Sequence, residues 1–193
     1  PQAGAVFVLR SAFGQDRGAL HQAVGEEKVI FAVAATLDRA DPELSAVRFG
    51  RVAHDMAMLA RRSPKVTADL VAMRDGLDAA KDSTEEALDD WITLNRVLLH
   101  DDVTLGWFDA HRADAAFATL IKHEAPNLAA LLIEKGRWAD AGGLVGDVEA
   151  WLDWAKPTSG GLQLSIDTYA ALAAAGRTKD ADTFAKGILK VAP

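Results

Sequence analysis

An all-α fold is predicted by three features of the sequence. Alanine is abundant and runs of β-branched residues are scarce, so intrinsic propensity leans to helix almost throughout. Every readable apolar periodicity after residue 26 is close to 3.6, with no sustained alternation of period two. The stretch Gly136-Arg137-Trp138-Ala139-Asp140-Ala141 returns as Gly176-Arg177-Thr178-Lys179-Asp180-Ala181, each copy set between two apolar stretches of helix length. Roughly eight or nine helices joined by short turns are expected, the pattern of antiparallel neighbours.

Residues 1–25 carry no clear pattern: Ala5-Val6-Phe7-Val8-Leu9 fits a short strand, a helix start or the remnant of a preceding segment, and Gly14, Gly18 and Gly25 punctuate the residues after it. From Glu26 onward Val29, Ile30, Val33 and Leu37 fall on one helical face. Asp41-Pro42 reads as an N-cap followed by a first-turn proline, opening a helix whose stripe is Leu44, Val47, Val52, Met56 and Leu59. Ser63-Pro64 repeats that signature ahead of Val66, Leu70, Met73 and Leu77. Ser83 with Glu86 three residues on reads as a capping box before Leu88, Trp91, Ile92, Val97 and Leu98. Gly106 is expected to interrupt the next stretch, after which Phe117, Leu120 and Ile121 resume helical spacing up to Pro126. The clearest loop is Pro157-Thr158-Ser159-Gly160-Gly161, between the two copies of the repeated motif.

Within the repeat, Leu132 and Leu172 lie four residues before the shared glycine, and Ala141 and Ala181 five after. A glycine closing the first helix accepts the left-handed conformation that reverses the chain, and a small alanine early in the second helix lets the pair approach closely. This arrangement resembles a tetratricopeptide repeat, in which two antiparallel helices carry small and large apolar residues at fixed offsets. Ala125 and Ser165 stand where that family has a large aromatic, Tyr169 replaces a small residue, and the copies are 40 residues apart instead of about 34. The extra length includes Trp151 and Trp154 and is expected to lengthen the second helix. The expected organisation is an N-terminal extension over 1–25, a divergent helical region over 26–124 and two tetratricopeptide-like hairpins over 125–193. The last two form one continuous α-solenoid.

With half the residues apolar and a quarter charged, the chain has the composition of a soluble globular protein, cytoplasmic or exported. A net charge of -7 argues against a nucleic-acid surface, which needs clustered Lys and Arg. Cysteine is absent, so disulfides, thiolate zinc sites and cysteine nucleophiles are excluded. No apolar run reaches the roughly 20 residues that span a bilayer. A chain that begins without Met is what a cleaved leader or a piece of a longer polypeptide would leave.

Reactive chemistry finds little support in the sequence. The sharpest candidate is His100-Asp101-Asp102 with Asp109 and His111. On one unbroken helix the two imidazoles share a face but lie roughly 16 Å apart, too far for one metal. Only a reversal at Gly106 would bring them together. Gly142-Gly143-Leu144-Val145-Gly146 lacks the Lys-Ser/Thr of a phosphate loop and reads as a site of close helix packing. Trp151 and Trp154 share a helical face, where packing explains them better than a ligand does.

The expected function is therefore a non-enzymatic scaffold that binds a protein or peptide partner, with no cofactor or metal and with homo-oligomerisation compatible. The resemblance implies that the first helix of each pair lines the groove: His123, Ala130, Ile133 and Glu134 in one copy, Gln163, Ile166 and Ala170 in the other. These are mostly small and apolar, and the Lys and Asn with which some family members clamp a terminal carboxylate are missing there, which favours an apolar segment. The alternatives are a metal-dependent enzyme or metal-binding protein using the His100–His111 region, and an accessory or oligomerisation module of a longer protein.

Overall fold

The computed structural model describes residues 53–155 and 161–191. The expected extension over 1–25, the helices read before residue 53 and the loop at 157–160 lie outside these residues. The described part holds ten α-helices and one 3-10 turn, with no strand. That exceeds the eight or nine helices expected, in part because the stretch after the first repeat glycine divides in two at Val145. None of the described helices is long and apolar enough to cross a membrane. Among the described residues, those up to Thr104 belong to one compact unit and those from Leu105 to a second.

In the first unit, α1 (Ala53–Ala60), α2 (Pro64–Gly76) and α3 (Glu85–Leu98) pack pairwise. Ser63 caps α2 as its sequence suggests, its side chain accepting from Val66 N with Pro64 in the first turn. Ala53, Met56, Val66, Leu70, Leu94 and Val97 form the core, and Leu59, Met73, Leu77 and Leu98 pack around it. The expected stripes thus face one another. The capping box expected from Ser83 and Glu86 does not form. Thr84, one residue later, takes the extended N-cap conformation and accepts from Ala87 N at 3.2 Å.

Helix α4 (Asp101–His111) runs through Gly106 without a break, against the expected interruption. The glycine costs about 1 kcal/mol relative to alanine inside a helix. Its neighbours Trp107 and Phe108 are both buried, and burying such a side chain is worth about 1.5–3 kcal/mol, so continuity wins.

The second unit continues with the 3-10 turn at Ala115–Phe117, opened by Asp114 accepting from Ala116 N, then α5 (Ala118–His123) and α6 (Ala125–Glu134). There follow α7 (Trp138–Leu144), α8 (Val148–Ala155), α9 (Gly161–Ala174) and α10 (Thr178–Val191). α7 packs against both α6 and α9, and α10 packs against α9 and α8. Their shared core includes Leu128, Leu132, Ala141, Leu172, Ala181 and Phe184. The two alanines of the repeat are fully enclosed, as the small-residue argument requires.

The repeated motif does not lengthen its second helix in the first copy. The chain breaks at Val145, which is extended, and Asp147 restarts a helix by accepting from Glu149 N and Ala150 N at 2.9 Å. In the second copy Lys186 and Gly187 stand where Gly146 and Asp147 would be, and α10 is unbroken over 14 residues. The expected close packing holds at Gly142 but not at Gly143 or Gly146, where a Cβ would meet nothing within 4 Å. A Cβ at Gly142 would collide with the carbonyl of Ala171 on α9, and one at Gly187 with Leu152 on α8.

Candidate functional site

The site is built from the two copies of the motif. Gly136 and Gly176 have φ of +74° and +75°, the left-handed conformation that glycine accepts at no steric cost. Around each, the same pair of hydrogen bonds closes the helix: Gly136 N to Ile133 O with Arg137 N to Leu132 O, and Gly176 N to Ala173 O with Arg177 N to Leu172 O. This double closure is the Schellman pattern. The expected positive-φ glycines are therefore present, and the two turns are alike bond for bond.

What the sequence reading missed is the work of the arginine. Arg137 Nε donates to Asp140 Oδ2 at 2.9 Å, and Arg177 Nε donates to Asp180 Oδ2 at 2.7 Å, so each arginine is held by the aspartate three residues on. The rest of each guanidinium reaches back along the chain. Arg137 makes a two-pronged pair with Asp109 of α4, at 2.8 and 2.6 Å. Arg177 instead donates to the carbonyls of Gly142, Val145 and Gly146, the open end of α7. One motif thus ties each hairpin to an earlier part of the chain, α4 in the first copy and the end of α7 in the second, and the signal was the Arg-x-x-Asp spacing present in both copies.

Arg112 extends the first of these clasps, pairing with Asp140 Oδ1 at 2.6 Å, and both Arg112 and Arg137 lie over the Phe108 ring at 5.9 Å. The hydrogen bond from Arg137 holds the carboxyls of Asp109 and Asp140 below the usual range, with Arg112 contributing at both. Those carboxylates accordingly add stability above the ordinary carboxylate pKa of about 3.9, and that contribution disappears as pH falls through their lowered folded-state values. The stability gap between the wild type and Arg137→Ala is expected to stay constant from neutral pH to about pH 5 and to shrink below about pH 4. Denaturant midpoints across that range check it, and a gap unchanged at pH 3 would assign the arginine to packing alone.

The seven residues expected to line a groove are distributed as follows. Ala130, Glu134 and His123 are exposed, Ile133 and Ala170 are half-buried, and Ile166 is 53% exposed. The side chain of Gln163 lies outside the described residues. His123 stands 3.8 Å from Glu124, a fully buried carboxylate whose other oxygen accepts from Asn127 Nδ2 at 3.0 Å. Helix α7 packs against both α6 and α9, the two helices that carry Ala130 with Ile133 and Ile166 with Ala170. The strongest feature is on α9, where Ile166, Tyr169, Ala170 and Ala173 follow one another at i, i+3, i+4 and i+7. Tyr169 is 43% exposed, although its counterpart Ala129 in the first copy is buried.

The histidines are engaged in other ways. His111 stacks on Phe117 with ring centroids 3.9 Å apart and lies against Trp107, while His100 Nδ1 is 3.0 Å from Arg74 Nη1. Since α4 is unbroken, no reversal at Gly106 brings the two together, and among the described residues no three His, Asp or Glu side chains are grouped as metal ligands. Trp151 is buried, and the side chain of Trp154 lies outside the described residues. Comparison of the chain with protein-family models, curated proteins and solved structures gives no match.

Proposed function

We propose that the hairpins of residues 125–191 form a tetratricopeptide-like binding module that captures an apolar protein or peptide segment on the exposed stripe of α9. The observation that supports this reading most is the uncovered pair Ile166 and Tyr169, one turn apart on a helix whose opposite face is packed into the core. Large apolar side chains that stand together in water mark interaction surfaces more often than isolated ones do. A tyrosine suits such a surface, since its ring gives contact area at low entropic cost and its hydroxyl can remain wet. The clasps of Arg137 and Arg177 fit the same role, because a binding face needs its helices held in fixed register before the partner arrives.

The test is a selection of apolar peptides on the full chain, followed by affinity measurements on Ile166→Asp and Tyr169→Ala. Each substitution removes a central apolar anchor and is expected to weaken the selected segment by about 2 kcal/mol, roughly thirtyfold, with helical content and thermal midpoint unchanged. Selected segments that bind both variants as tightly as the wild type would place recognition elsewhere.

A further inference from the structure

The link between α3 and α4 closes with the same Schellman bonds as the two repeat turns, but with different residues in every key position. Leu99 N bonds to Arg96 O at 3.1 Å and His100 N to Asn95 O at 2.8 Å. The left-handed position is held by Leu99, at φ 61°, the one non-glycine residue with positive φ among the described residues. An L side chain is disfavoured there, and Leu99 is 58% exposed, so its own packing does little to hold the turn. The positions that commonly carry an apolar contact across such a turn are Asn95 and His100. They are joined by a single nitrogen. Arg74 Nη1 lies 3.4 Å from Asn95 Oδ1 and 3.0 Å from His100 Nδ1.

An arginine is always protonated and has only donors to offer, so Nδ1 of His100 must present its lone pair. The imidazole proton is then on Nε2 and the ring is neutral. We propose that this turn is a proton-sensitive latch: the neutral ring holds Arg74 and keeps Leu99 in its strained conformation, and protonation of His100 releases both. A proton on Nδ1 removes the acceptor and sets an imidazolium against the guanidinium. The charged groups around the turn are Arg74 and its partner Asp75 on α2, Arg96 at the end of α3, and Asp101, which pairs with Arg96 at 3.1 Å, with Asp102 at the start of α4. Arg74 keeps Asp75, at 2.6 Å, when it lets go of His100. Asn95 is fully buried and its Nδ2 has no hydrogen-bond partner, so it is poorly placed to hold the turn once Arg74 withdraws. The freed bonds are those of the last turn of α3.

Imidazole can gain a proton as pH is lowered, so the experiment follows the ring itself while pH is taken down from 7.5. Nitrogen-15 NMR of the full chain reads the tautomer of His100 directly, and hydrogen exchange reads the Leu99 and His100 amides. At pH 7.5 the ring should carry its proton on Nε2. As the ring protonates, the protection factors of the two amides should fall by more than about tenfold, the loss expected for a hydrogen bond to a charged group. His100→Asn offers an amide oxygen near the place of Nδ1 without a proton to gain, so its protection should be independent of pH. Arg74→Met should show low protection at every pH. A proton on Nδ1 at pH 7.5, constant protection as the ring titrates, or an equal fall in His100→Asn would each overturn the proposal, and the first two need no variant to fold.

Discussion

Phe184→Ala is expected to cost about 3–5 kcal/mol, the range for removing a fully enclosed aromatic ring whose space the surroundings cannot fill. The ring is 1% exposed on α10, the helix that packs against both α9 and α8. Its position corresponds to Leu144 in the first copy, which is only partly buried, so the second hairpin depends on this site more than the first does on its counterpart. Urea denaturation followed by tryptophan fluorescence measures the loss, with Leu144→Ala as the comparison. A cost below about 1 kcal/mol would mean that α10 is not docked through Phe184. Phe184→Leu, which keeps most of the apolar volume, should recover much of the difference.

The parts of the fold that rest on local chemistry were legible in the sequence. Ser63 and Pro64 start a helix because the hydroxyl and the fixed proline φ act within one turn, and Gly136 and Gly176 end helices because their conformation is a backbone matter. Where two local solutions compete, spacing cannot choose. Ser83 and Thr84 are adjacent hydroxyls, and the cap fell to the one whose backbone is extended, with three turns of buried residues behind it. Continuity at Gly106 was hidden for a different reason: the cost of the glycine is local, whereas the burial of Trp107 and Phe108 that offsets it is tertiary.

The break at Val145 is tertiary too. The carbonyls it leaves open are capped by Arg177, more than thirty residues downstream. For the candidate site, the sequence does not say which face of α9 is covered. Ala171 and Leu172 went inward and Ile166 and Tyr169 outward, an outcome decided by where α7 and α10 sit. The residues implied by the family resemblance therefore include the exposed Ile166 and omit Tyr169, its neighbour one turn on.

Gly142→Ala carries the other large effect, and its sign separates helix propensity from packing. Intrinsic propensity favours alanine over glycine in a helix by about 1 kcal/mol, which by itself would make the variant more stable. Close packing opposes it. A Cβ at Gly142 would meet the backbone carbonyl of Ala171 and lie 2.8 Å from Ala175 Cβ, and a carbonyl within a helix cannot rotate aside as a flexible side chain can. Helix α7 would have to back away from α9, thinning the contact along its length and drawing the carbonyls of Gly142, Val145 and Gly146 off Arg177. Overpacking of this kind costs about 1–3 kcal/mol or more, enough to exceed the propensity gain, so a net loss of about 2 kcal/mol is expected. Gly143 provides the control beside it: a Cβ there meets nothing within 4 Å, and Gly143→Ala should stabilise by about 0.5–1 kcal/mol. The second copy has an exposed aspartate, Asp182, in place of Gly142, as expected if the glycine serves the contact with α9 rather than the helix itself. Denaturant midpoints raised in both variants would show that propensity, and not the approach of α7 to α9, governs this stretch.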